Sequence, residues 1–215
     1  MATQKLIRWS AIAWLLSALT GIIAVVLAPS DYVENAMLST LWTPIHAVLT
    51  ISYMLFLFGL IGFYLVQADK AGRLGSVGFL LAFFGTVLVT AQVAVATLIL
   101  PVIATQQDAP KTAFEMLDPA GPLSVFSSIS LVASVALGIG LILMGIATMR
   151  AGVLPRWAGL LLIVGTVLEF AVLVGAPGAM IVKLGDVAID AAKIWIVYAL
   201  WSKQSETVTQ AKTTM

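Results

Sequence analysis

The sequence predicts an all-α bundle of six membrane-crossing helices with a duplicated helix hairpin at its centre. Three observations carry this. The 215-residue chain is 61% hydrophobic and only 10% charged. Its mean hydropathy is +1.08. Its apolar residues gather into runs of about 20, the length that crosses a hydrocarbon core. Soluble domains carry roughly a quarter charged residues. A net charge of +1 gives no electrostatic case for nucleic acid, and the absence of cysteine excludes a disulfide framework, a thiolate metal site and a cysteine nucleophile. A single histidine excludes a multi-histidine metal centre.

The first span is predicted at about 9–28. Lys5 and Arg8 precede it, as in a signal peptide, but its apolar run exceeds the usual 7–15 residues and ends on Ala28–Pro29. It reads as a retained anchor. The second and third spans, 44–66 and 74–100, are bounded by Pro44 and Pro101. The segment 101–122 is the longest connection, and "KTAFEMLDPAGPL" suits a short interfacial helix. The fourth and fifth spans run over 123–148 and 157–176, set apart by Pro155 and closed by Pro177. The sixth, 178–201, contains "VKLGDVAIDAAKI". A transmembrane domain over 1–203 leaves 204–215 as a polar cytoplasmic tail.

Orientation follows from the lysines and arginines. With a cytoplasmic N-terminus, Lys5, Arg8, Lys70, Arg73, Arg150, Arg156, Lys203 and Lys212 lie inside, and Lys111 alone outside. The bias requires the sixth span to cross, which puts both termini in the cytoplasm of a bacterial inner membrane. Trp9, Trp42, Trp157 and Trp201 fall at the span ends, where interfacial aromatics belong.

Residues 71–88, "AGRLGSVGFLLAFFGTVL", align without gaps on 151–168, "AGVLPRWAGLLLIVGTVL", with nine of 18 positions identical. Either a duplicated hairpin (spans 2–3 and 4–5) or shared packing needs produce this register. Ser127, Ser130, Ser134, Gly138, Leu141 and Gly145 form one stripe, and Gly78, Gly85 and Gln92 recur every seven residues. Small residues at these spacings let helices close on one another in lipid.

The polar residues of the sixth span need a reason. At 100° per residue, Lys183, Asp186, Asp190 and Lys193 fall on one face, with i,i+3 pairing available to each lysine. Each costs about 2.5–3.5 kcal/mol at the centre of a membrane helix, so this face belongs inside the bundle. Counting about 1.5 Å per residue from Gly178 sets Lys183 and Asp186 roughly 8–12 Å deep and Asp190 near the midplane. Glu169 and Gln92 fall at similar depth, and His46, with Thr50 and Tyr53 along its face, lies shallower. The predicted cluster is therefore Glu169, Lys183, Asp186, Asp190, Lys193, Gln92 and His46. A structural network would pair Glu169 with Lys183, and Asp186 and Asp190 with Lys193. Three acids against two bases leave one carboxyl either neutral or matched to a protonated His46.

A lysine and aspartates in the final span resemble microbial rhodopsins, but Asp190 precedes Lys193 by three positions and six spans replace seven, so retinal is set aside. The hairpins "GLIGFYLVQADKAGRLGSVGFLLAFFG" and "GIATMRAGVLPRWAGLLLIVG" resemble a loosely defined group of uncharacterised small bacterial multi-pass proteins. The resemblance implies a six-helix membrane fold and carries no functional residue. No catalytic, metal-binding or cofactor-binding motif occurs. Two functions fit: a structural or accessory bundle locked by its charges, or a proton- or ion-coupled transporter or small-ligand sensor with a polar pocket. The expected partners are the lipid bilayer, a further copy or another membrane protein, and a proton or small polar ligand.

Overall fold

The computed structural model describes residues 2–28, 35–106, 123–171 and 179–213, the side chains only as far as 202. The elements are α1 (Ala2–Leu27), a 3-10 turn (Ala36–Leu38), α2 (Trp42–Leu98), α3 (Leu100–Ala104), α4 (Ser124–Ala151), α5 (Arg156–Phe170) and α6 (Ala179–Thr213). No strand occurs among the described residues.

Among those residues, three helical stretches are long and apolar enough to cross a membrane: Thr3–Leu27, Trp42–Ala104 and Ser124–Ala151. The second has 63 residues, enough for two crossings at about 1.5 Å per residue. It bends at Gly72, whose φ of 58° and ψ of −163° lie outside the helical region. Its two arms fold back on each other. Trp42 Nε1 donates to the Ala96 carbonyl at 3.0 Å, and the Tyr64 and Ser76 hydroxyls lie 3.0 Å apart. These arms correspond to the predicted second and third spans. α5 has 15 residues, short of the predicted 157–176, and residues 172–178 lie outside the described ones.

Several helix ends differ from expectation. α1 begins at Ala2 rather than Trp9, and α6 continues to Thr213 through the segment read as a polar tail. Adding residues to an existing helix is cheap once the nucleus is formed, and Lys, Gln, Glu and Ala are good helix formers. The apolar runs therefore do not mark the helix ends. Pro101 lies in the first turn of α3, where its missing N–H costs nothing. The "KTAFEMLDPAGPL" helix falls almost wholly on residues 107–122, outside the described ones.

The helices form a closed ring: α1 packs on α2, α2 on α4, α4 on α5, α5 on α6, and α6 back on α1. Small residues make the seams. Gly85 has no room for a Cβ beside the Leu137 backbone, nor Gly140 beside that of Ala82. At Gly165 a Cβ would lie 2.7 Å from the Gly185 carbonyl oxygen. The centre on the side of the Gly72 bend is an apolar plug of Trp14, Leu60, Phe63, Leu162, Ile196 and Val197, each at most 1% exposed. The outer wall is also apolar, with Phe58, Phe84 and Tyr198 more than 60% exposed. Such a surface suits lipid better than water.

The two aligned segments behave alike. Gly72 and Gly152, 80 positions apart, are the two positive-φ glycines among the described residues, at 58° and 63°. Thr86 and Thr166 are fully buried, each donating to the carbonyl four residues back, of Ala82 and Leu162 at 2.6 and 2.8 Å. Of the four tryptophans expected at the span ends, Trp9, Trp157 and Trp201 are exposed, but Trp42 is 1% exposed. Its ring stacks on His46 at 3.9 Å, and the small Ala96 leaves space for its bond across the hairpin. Trp42 is a core residue.

Candidate functional site

Glycines decide which charged groups of α6 meet which helix. At Gly185 the Gly165 backbone oxygen and the Glu169 backbone stand where a side chain would be, so α5 and α6 touch backbone to backbone. That contact brings Glu169 level with Asp186. On the opposite flank, Gly21 of α1 leaves space for Asp190: a Cβ there would lie 2.6 Å from Asp190 Oδ2.

Asp190 and Lys193 are the buried members of the stripe, 4% and 5% exposed. Lys193 Nζ lies 2.5 Å from Asp190 Oδ1, donates to Ser17 Oγ at 3.3 Å and sits 5.0 Å from the centre of the Phe56 ring. Ser17 is held in turn by Ser52, whose hydroxyl donates to the Ser17 carbonyl at 2.8 Å. The ammonium thus gains a carboxylate, a hydroxyl and an aromatic face, the kinds of partner a buried cation needs.

A partly open cavity of about 70 Å³ adjoins this pair, lined by Glu169, Asp186, Asp190 and Lys193 together with Ser17, Ser52 and Tyr53. At about 30 Å³ per water it holds roughly two. It lies on the far side of the apolar plug from the Gly72 bend, between Val25 and Leu49 at one end and Phe56 and Leu141 at the other. The three acids do not form a metal-ligand set among the described residues.

Four of the seven predicted site residues therefore meet: Glu169, Asp186, Asp190 and Lys193. Three do not line the cavity. Lys183 reaches the backbone oxygen of Ala28 at the end of α1 at 3.5 Å, away from the cavity. His46 is buried on the α2 hairpin, its Nδ1 donating to the Trp42 carbonyl at 2.9 Å. Gln92, on the second arm of α2, has its Oε1 buried without a hydrogen-bond partner. No family model, curated protein or solved structure matches the chain, so its own residues carry the functional argument.

Ser17, Gly21 and Ser52 belong to the site and were not foreseen. Their signal was present: Ser10, Ser17 and Ala24 recur every seven residues on α1, as do Ser52 and Gly59 on α2. Small polar residues at heptad spacing mark a packing face in any bundle, so the pattern alone did not connect them with Lys193.

Proposed function

We propose that this chain is a six-span inner-membrane protein that binds a proton or a small monovalent cation in its outer cavity, as a coupled transporter or a sensor. One observation carries the reading: the cavity reaches three carboxyls and a single ammonium, a surplus of acids over bases with room for water. Ionisable groups inside a membrane bundle are functional candidates by default. In this reading the stripe divides its labour. The Asp190–Lys193 pair, braced by Ser17, locks α6 to α1, while Glu169 and Asp186 present the working carboxyls.

The wider architecture is part of the proposal. The two arms of α2, with α1, α4, α5 and α6, make six crossings, and the basic ends lie in the cytoplasm together with both termini. The duplication of spans 2–3 and 4–5 is supported by the positive φ that Gly72 and Gly152 share at equivalent positions. The apolar plug closes the cavity on the cytoplasmic side, which corresponds to an outward-open state.

The test is flux. Purified wild type and Glu169→Gln and Asp186→Asn variants are reconstituted in liposomes, and internal pH and cation content are followed. Wild type moves protons or a monovalent cation, or binds the cation without moving it, and both variants lose the response. Wild type indistinguishable from empty liposomes, with no cation binding in detergent, sinks the reading and leaves a purely structural bundle.

A further inference from the structure

Opposite the cavity, the bundle ends in a surface that the pocket does not use. The Gly72 bend, the Gly152 turn and the N-terminal end of α1 lie together, because Ser10 packs at Gly62 and Ala147 at Gly75. Around them Lys5, Arg8, Lys70, Arg73, Arg150 and Arg156 are all exposed, against Asp69 as the one exposed acid among the described side chains there. Lys70 and Arg150 occupy equivalent places, each two residues before a left-handed glycine. Trp9 and Trp157, on the same rim, are 70% and 68% exposed. No Cβ at Gly72 or Gly152 would meet an atom within 4 Å, so the space beside both turns is open. In the seam between them Gln67, 1% exposed, accepts from Thr148 at 3.0 Å, and its Nε2 has no acceptor.

The geometry points to an anionic-phospholipid surface at this end, with Lys70, Arg73, Arg150 and Arg156 gripping headgroup phosphates around the two glycine turns and the tryptophans seated at headgroup depth. Arginine forks match phosphate oxygens in pairs, and juxtamembrane groups of four to eight basic residues attract anionic leaflets. Exposed tryptophan settles where one edge is apolar and the other wet. The charge here is concentrated at two turns with open space, which favours held lipids over a diffuse attraction. The inference rests on the membrane reading above and is independent of the cavity.

The protein, purified in neutral detergent, is titrated with phosphatidylglycerol, with phosphatidylcholine and with inorganic phosphate. Thermal unfolding and native mass spectrometry of retained lipids are read out. Phosphatidylglycerol should bind at least about tenfold tighter than phosphatidylcholine and raise the melting temperature, with inorganic phosphate alone ineffective. The K70Q/R73Q/R150Q/R156Q variant should lose that preference and unfold like wild type in phosphatidylcholine. Should the variant not fold, lipid retention by wild type at low and high salt decides by itself. Equal retention of the two lipids, or an equal response to inorganic phosphate, overturns the lipid surface while a detergent-partitioning chain keeps the membrane reading. A chain that stays in the aqueous phase overturns both.

Discussion

Gly21 of α1 and Asp190 of α6 meet with no room for a methyl group, a Cβ on Gly21 standing 2.6 Å from Asp190 Oδ2. The carboxylate that holds Lys193 is thus positioned by an absent side chain one helix away. Gly21→Ala must push the carboxylate aside, and held by Lys193 it cannot swing freely. The expected loss is about 1–3 kcal/mol, read as a lower midpoint in thermal or denaturant unfolding in detergent. In an Asp190→Ala background the same change should cost little, and an undiminished penalty there would refute the contact.

Lys193→Met leaves Asp190 buried without its cation. Breaking a buried pair from one side costs about 3–5 kcal/mol, whereas replacing both partners by apolar residues is often neutral. Asp190→Leu combined with Lys193→Met should therefore recover most of the stability lost by the single variant. If the double variant is the weaker one, the pair is not the lock described above.

Gly72 and Gly152 should differ in what replaces them. Gly152, at φ 63° and ψ 15°, sits in the left-handed helical region that asparagine tolerates. Gly72, at φ 58° and ψ −163°, occupies a region essentially restricted to glycine. Gly152→Asn should cost under about 1 kcal/mol, and Gly72→Asn about 1–3 kcal/mol. Unfolding midpoints of the two variants side by side check the order, and equal costs would contradict it.

Trp42→Phe removes the donor to Ala96 and should cost about 1 kcal/mol or more, from the hydrogen bond and the lost contact with His46. Trp9→Phe, on the exposed rim, should stay within about 0.5 kcal/mol in detergent. A larger effect at Trp9 than at Trp42 would invert the assignment of core and rim.

Much of this was legible in the sequence, for identifiable reasons. Helix period collects Lys183, Asp186, Asp190 and Lys193 on one face whatever surrounds them, and the i,i+3 spacing made the Asp190–Lys193 pair available before any neighbour was known. Which member of the stripe meets which helix was not legible. Glu169 meets Asp186 because two glycines, 165 and 185, let α5 and α6 touch, and that crossing is a property of both helices at once. Depth alone pairs Lys183 with Glu169, but depth does not give azimuth around the bundle. The same blindness put Trp42 at an interface. Its position along the helix was right, and the partner that buries it, Ala96, lies 54 residues on in the folded-back arm.

The hydrogen bond from Lys193 to Ser17 joins positions 176 apart, nearly the whole length of the chain. A ribosome makes α1 before α6, so Ser17 is in place long before the ammonium it receives exists. A growing chain holds no site. The cavity walls come from α1, α2, α4, α5 and α6, and a polypeptide that stops before Asp190 lacks the lock and one wall of the pocket. Closing the ring is therefore the step that completes the site, and the cost of lodging four charges waits on the arrival of α6.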